Sequence, residues 1–323
     1  MTTAPTFSIE EPTAERPLAV VHGEGSSPLD IAPAGLERLF RAHGAVLLRG
    51  FDMTIDRYRD LAKRLCSTSV FNESPGRRTL DAATQIQTVN LGTDAFPLHP
   101  ELSREPWRPD ACLFYCLEPD ALGGETTVCD GIAIVENMPL ATIEQMRCRT
   151  LLYIKPASPP VLRYWLGTEF PGDELLASPP SGCPYWFRRV GNVILRGFAR
   201  PLLHQPMFDE RLAFGNFLLF ARDYMRVPNI PCLDDGTPVP GEWLAAVREA
   251  AGPVTYPVPW QKDDVVILDN SRFMHGRRAI NDPGKRRIAS YFGYVSFAPA
   301  QPGEPQDPVW RREDFRPPAA GNH

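Results

Sequence analysis

Two hydrophobic periods follow one another along the chain. In the first seventy residues they alternate. "LAVVHG" is a short apolar run closed by a glycine and predicts a strand. "GLERLFRAHG" places Leu36, Leu39 and Phe40 at helical spacing and stops at Gly44, and "AVLLRGF" then reads as a buried strand. "TIDRYRDLAKRLC" is helical again, with Thr54 positioned so that its hydroxyl can cap the first turn. After about residue 85 short strands dominate. "IQTVNLG", "ACLFYCL", "ETTVCDG", "TLLYIKP" and "NVILRGF" are separated by Pro, Gly and Asp turns. Helical patterning returns between about 203 and 251, where "GEWLAAVREAAG" is expected to end at Gly252. "PVTYPVPW", "DDVVILDN" and "RRIASYFGYVSF" supply three more strands. The whole predicts a mainly β fold with flanking helices, a sandwich or barrel whose end would hold a site.

Composition narrows this picture. A chain of 323 residues fits one large domain or two modest ones, and 35 prolines favour strands and turns over long helices. We expect one domain over 1–298 with a helical insert around 203–251, and a proline-rich, extended, partly ordered tail over 299–323. A net charge of -5 argues against a general nucleic-acid partner. No stretch is long and apolar enough to span a bilayer, and the start of the chain has no basic segment followed by an apolar one, so no membrane partner and a cytoplasmic location are expected. The seven cysteines are odd in number and form no C-x-x-C pair. Cys112 and Cys116 fall on one face of a strand and read as buried thiols.

The chemistry concentrates in "FPLHPELS", where His99 and Glu101 flank Pro100. On an extended segment residues i and i+2 point the same way, so both side chains can face one ion. A third ligand must come from afar. His43 ends a helix, His323 ends the chain, and His22 and His204 lie near turns without a carboxylate at ligand spacing. His275 follows the strand "DDVVILDN" and precedes Gly276, whose missing side chain permits close backbone approach. Two imidazoles and one carboxylate on one side of an ion are the donor set of non-haem Fe(II) oxygenases. Such an iron needs an electron source. A keto acid would need an arginine for its far carboxylate, since the guanidinium fork matches a carboxylate in two places. Arg286 and Arg287 in "GKRRIASYF" are adjacent at a strand start, so only one of them can face inward.

The ordered set "GAVLLRGF", "LHPE", "LFYCLEP", "GGETTVCDG", "VVILDNSRFMHGRR" and "GKRRI" resembles the taurine dioxygenase-like branch of Fe(II)/2-oxoglutarate-dependent oxygenases, from about residue 15 to 298. Glutamate at the second ligand position is similar to the clavaminate synthase and syringomycin-type hydroxylase side. The resemblance implies a double-stranded β-helix, or jelly roll, with His99, Glu101 and His275 as iron ligands. It implies that the Thr126 hydroxyl helps hold 2-oxoglutarate and that Arg287 anchors its carboxylate; Arg286 is the alternative, since a one-residue slip exchanges faces. Pro100 between the ligands is a departure from the family pattern. The implied reaction consumes O2 and 2-oxoglutarate, releases succinate and CO2, and oxidises an unactivated C–H bond. Relatives that halogenate lack the carboxylate ligand, so Glu101 points to hydroxylation, with desaturation, ring closure or epoxidation open to the same oxidant.

For the substrate the branch suggests an amino acid, free or carried on a carrier protein. Arg188, Arg189, Arg277 and Arg278 are candidates to meet a substrate anion. The stretch 155–183, flanked by Tyr164, Trp165, Tyr185, Trp186 and Phe187, is a candidate lid. Two rival readings are a zinc hydrolase built on the same donors and a non-catalytic jelly-roll binding module. The oligomeric state is not legible in the sequence.

Overall fold

The strand-rich pattern folds into two facing sheets and a third beside them. A computed structural model describes residues 7–318 other than 75, 90, 91, 120–122, 283–285 and 302–303. His323, Gly284 and Lys285 therefore lie outside the described residues. The large sheet runs, in spatial order, through Ser8–Glu10, Ala19–His22, Ala45–Arg49, Val265–Asp269, Ala111–Glu118, Arg287–Tyr294, Ile86–Thr88 and Thr79–Asp81, with Thr68–Ser69 beside Arg287–Tyr294. Opposite it lie Thr255–Pro257, Thr126–Asp130, Phe273–Arg277 and Phe96–His99, all antiparallel. These two sheets form the jelly roll. The third sheet comprises Trp186–Val190, Val193–Pro201, Thr150–Pro156 and Cys232–Leu233.

Both faces of the large sheet are covered, which explains why its strands read as near-continuous apolar runs. Cys112, Phe114, Cys116, Val266, Leu268, Ile288 and Phe292 point into the space between the two sheets. Their neighbours Leu113, Tyr115, Ile267, Ala289 and Tyr291 point the other way. There they meet Leu36 and Phe40 of the helix Pro33–His43 and Tyr58 and Leu61 of the helix Ile55–Leu65. Both helix boundaries follow the sequence signals. Gly44, with φ of 68°, ends the first helix, and the Thr54 hydroxyl accepts the Arg57 N–H at 3.2 Å at the start of the second. Cys112 and Cys116 are buried free thiols.

Three expectations change. Within 203–251 only a π-helical turn at Phe220–Tyr224 and the helix Gly241–Val254 are helical; the remainder is turns, the short strand Cys232–Leu233 and a bridge between His204 and Ala213. That last helix passes through Gly252 to Val254. The Thr255 N–H donates to the Gly252 carbonyl and the Thr255 hydroxyl donates to the Ala251 carbonyl at 2.7 Å, so orphan carbonyls are satisfied beyond the glycine. The tail beyond 299 is pinned as well as extended. A 3-10 turn at Val309–Arg311 buries Trp310, and Arg311 pairs with Asp110 at 2.7 Å.

Candidate metal centre and its cleft

Antiparallel pairing sets His275 of Phe273–Arg277 directly across from His99 of Phe96–His99. Directly opposed residues share a face, and the two imidazole centroids lie 4.6 Å apart. Glu101 stands just past the end of its strand, where Leu102 takes a positive φ of 50° and turns the chain. One donor atom from each of His99, Glu101 and His275 lies within 4.8 Å of the others. The three residues expected as ligands thus share one place.

Each is held by partners. His99 Nδ1 is 2.8 Å from the Pro97 carbonyl, which can only accept, so Nδ1 carries the proton and Nε2 keeps its lone pair. The backbone N–H of Glu101 donates to Asn270 Oδ1 at 2.7 Å, and Asn270 Nδ2 donates back to the Glu101 carbonyl at 3.0 Å. Its carboxylate accepts from Asn72 Nδ2 at 2.6 Å and from Arg77 Nη2 at 3.4 Å. Glu101 Oε2 faces His275 Nε2 at 3.8 Å. Burial lowers the pKa of His99 and, together with the neighbouring His99 and Arg77, takes His275 well below the ordinary imidazole range. Neutral imidazoles are the ligating form. Two neutral nitrogens and one carboxylate, all reached from one side, fit a ferrous ion with positions left open toward the cleft.

Gly276 makes the His99–His275 pairing possible. A Cβ there would stand 2.6 Å from the Phe96 carbonyl oxygen and 2.8 Å from Thr127 Oγ1. Gly276→Ala must therefore spread the two ligand strands, at a cost of about 1–3 kcal/mol. We expect a fall of several degrees in Tm and a loss of at least tenfold in Fe(II) affinity; an unchanged melting curve and metal titration would contradict this packing.

The cleft beside the ligands encloses about 710 Å³ of empty space, its open mouth included. Val89, Phe96, Leu102, Phe114, Phe217 and Phe220 give it apolar walls. Phe220 comes from the π-helical turn and packs on the His99 ring at 4.6 Å. At one wall Arg286 Nη2 donates to Thr126 Oγ1 at 3.2 Å, and Trp260 Nε1 donates to the same oxygen at 3.1 Å. With two donors at its oxygen, the Thr126 hydroxyl proton is left to point elsewhere. Gly124 admits the Arg286 side chain: a Cβ there would stand 2.8 Å from Arg286 Cδ.

Arg287 is not in the cleft. Its side chain is 56% exposed and lies 3.7 Å from Glu118. Arg286, Ile288, Ser290 and Phe292 share the inner face, so the expectation that Arg287 looks inward is corrected to Arg286. The other substrate candidates separate too. Arg188 is exposed, Arg189 pairs with Asp173 at 2.9 Å, and Arg278 faces Glu125 at 3.8 Å. Arg277 lines the cleft but donates to the Gly92 and Asp94 carbonyls, both at 2.6 Å. No described residue of 155–183 lines the cleft, which removes the expected lid. Part of that stretch is helical, at Pro159–Leu166 and Asp173–Ala177, and Trp165 packs edge-on against Tyr185 in a separate aromatic cluster. Asn72, Arg77, Arg104, Trp260 and Asn270 are the cleft and support residues that the sequence did not single out.

The remaining described histidines have structural partners. His22 Nε2 is 2.7 Å from Glu10, and His43 Nδ1 is 3.7 Å from Glu11. His204 Nε2 donates to the Ser271 carbonyl at 2.7 Å, and burial, with Arg108 nearby, pushes its pKa down to about 3. The unfolded chain then takes up a proton near pH 6.5 that the folded chain refuses until about pH 3. Stability from this residue is full above pH 6.5 and is lost as the pH falls toward 3. His204→Gln, which keeps a donor for Ser271, should be less stable than wild type at pH 7. The gap should narrow by roughly 2–3 kcal/mol at pH 4.5. Denaturant midpoints at the two pH values check it, and a constant gap would contradict it.

Similarity to known proteins follows the same geometry. The model of the taurine catabolism dioxygenase TauD, TfdA family matches residues 14–291. A clavaminate synthase-like protein of Arabidopsis thaliana is 23% identical over 275 residues, covering 79% of this chain and 83% of that protein. The structure of PvcB from Pseudomonas aeruginosa superposes with a TM-score of 0.59 at 16% identity, covering 94% of this chain and 96% of its own; PvcB is described as an Fe, alpha-ketoglutarate dependent oxygenase from an isonitrile synthetic pathway. AAD-2 in complex with Mn(II) and N-oxalylglycine superposes with a TM-score of 0.55 at 16% identity, covering 92% of this chain and all (100%) of its own.

Proposed function

The chain belongs to the taurine catabolism dioxygenase TauD, TfdA family, an oxidoreductase family, and on that premise we propose that it uses Fe(II), 2-oxoglutarate and O2 to oxidise an unactivated C–H bond of an amino-acid-derived small molecule. Hydroxylation is the proposed outcome, with succinate and CO2 as co-products. The observation that carries this reading is the cross-strand pair His99–His275 with Glu101 beside it, opening on a cleft that Arg286 and Thr126 also line. His99, Glu101 and His275 would hold the iron. When bound, the iron and keto acid together supply the oxidising power that no side chain has.

The chain's own residues supply the rest. Arg286 offers its guanidinium to the distal carboxylate of 2-oxoglutarate, and the Thr126 hydroxyl, its oxygen already occupied by Trp260 and Arg286, donates to the same group. Asn270 fixes the backbone of Glu101, while Asn72 and Arg77 fix its carboxylate. The walls made by Phe96, Phe217 and Phe220 exclude water from one side of the metal centre. A zinc hydrolase on the same donors would have no use for the buried arginine and threonine in the same cleft.

The test is succinate formation in a screen of candidate substrates, with Fe(II), 2-oxoglutarate and air omitted in turn. Dependence on all three is expected. Turnover that persists without oxygen would overturn the reading.

A further inference from the structure

We propose that Arg104 selects the substrate by its free carboxylate, and that the substrate class is an apolar-bodied organic acid without a free ammonium group. This deepens the reading of the reaction given above and rests on it. Among the described residues, four arginines line the cleft against a single carboxylate, Glu101. Three of the four are committed. Arg77 donates to Glu101 and to Ser290 Oγ, the latter at 3.0 Å. Arg277 is held by the Gly92 and Asp94 carbonyls and lies over the Phe96 ring, 4.2 Å from its centroid. Arg286 is bonded to Thr126 and assigned to 2-oxoglutarate.

Arg104 alone among them donates no hydrogen bond to a described residue and has no described carboxylate within ion-pair reach. The nearby Glu105 is already bonded to Lys155 at 2.5 Å and to the Tyr185 hydroxyl at 3.2 Å. Arg104 lies over the Phe217 ring, 5.4 Å from its centroid, so its fork is carried on an apolar wall of the cleft. An unspent guanidinium in a partly enclosed site suits a carboxylate in two-point contact.

The same inventory says what the cleft lacks. Glu101 is the sole carboxylate among the described lining residues, and it is taken by Asn72, Arg77 and the metal position. No anionic group among the described lining residues remains to receive a substrate ammonium, whose burial without a partner is costly. The aromatic lining favours an apolar body. A free α-amino acid therefore fits poorly, as does an acyl group whose carboxylate is tied up in a thioester to a carrier. An amino acid with its nitrogen acylated fits both demands.

The experiment measures binding, without turnover. The full chain is loaded with Mn(II) and 2-oxoglutarate, which fills the Arg286 wall, and titrated calorimetrically with N-acetylphenylalanine, N-acetylphenylalaninamide and phenylalanine. The acid should bind at least tenfold more tightly than either of the others. In Arg104→Gln the preference for acid over amide should fall below about twofold, and Arg104→Lys should restore part of it. Acid binding that is absent or no tighter than the amide's, or a preference that survives in Arg104→Gln, would overturn the proposal. If the acid preference holds and no substrate supports 2-oxoglutarate-dependent succinate formation, the reaction assignment fails and the assignment of Arg104 stands.

Discussion

Glu101→Ala should reduce turnover by at least three orders of magnitude and remove high-affinity Fe(II) binding. Glu101 is the single anion in the proposed ligand set, since burial lowers the pKa of both imidazoles and favours their neutral form. Losing it leaves a divalent ion two neutral donors, too few to compete with water. The substitution also leaves the buried Arg77 without its carboxylate, so some loss of stability is expected alongside. Glu101→Gln separates the two effects. The amide is the same size and can still meet Arg77 through its oxygen, but it carries no charge. Loss of Fe(II) binding and of turnover in Glu101→Gln, with a cooperative melt retained, is the expected result, read by metal titration and succinate assay on the same preparation. Retained turnover in either variant would remove Glu101 from the centre.

The second large effect concerns neighbours in sequence with opposite fates. Arg286→Ala should raise the half-saturating concentration of 2-oxoglutarate by roughly ten- to a hundredfold, the worth of a charge-assisted contact of about 1.5–3 kcal/mol. Arg287→Ala should change it less than twofold, because that side chain is exposed beside Glu118, where a surface pair contributes little. Thr126→Val should follow Arg286→Ala in direction and be smaller, since it removes a neutral donor. Initial rates of succinate formation against 2-oxoglutarate concentration measure all three. Equal effects at 286 and 287 would contradict the observed facing.

That pair also shows where the sequence stopped being legible. Strand alternation is visible in "RRIASYFGY", but it labels no face, because both faces of this sheet are buried. Ile288 and Phe292 point to the cleft side; Ala289 and Tyr291 pack under the helices. Both sets are apolar, so the hydrophobic pattern leaves the inward arginine open. The pairing register also shifts between Arg287 and Ile288, against Glu118 and Cys116, so counting across the sheet from a neighbour misleads as well.

The cluster of His99, Glu101 and His275 was legible for the opposite reason. His99 and Glu101 are neighbours in sequence, and His275 stands beside a glycine whose absent side chain lets the two strands meet. The residues that support them carry no such local mark. Asn72 and Arg77 reach Glu101 from a loop, and Asn270 does so from the turn after Val265–Asp269. Only the folded chain shows those contacts. The stretch 155–183 failed differently. Its prolines suggested a loop, yet Pro159 and Pro160 open a helix, where proline's missing N–H costs nothing.

A crystal structure of the protein soaked with Mn(II), with an anomalous difference map, tests the central claim most directly. It should show one strong peak bonded at once to Nε2 of His99, to Nε2 of His275 and to a carboxylate oxygen of Glu101, with the remaining positions facing Arg286 across the cleft. A peak elsewhere, or a peak touching fewer than all three residues, would mean that these side chains are not one metal centre.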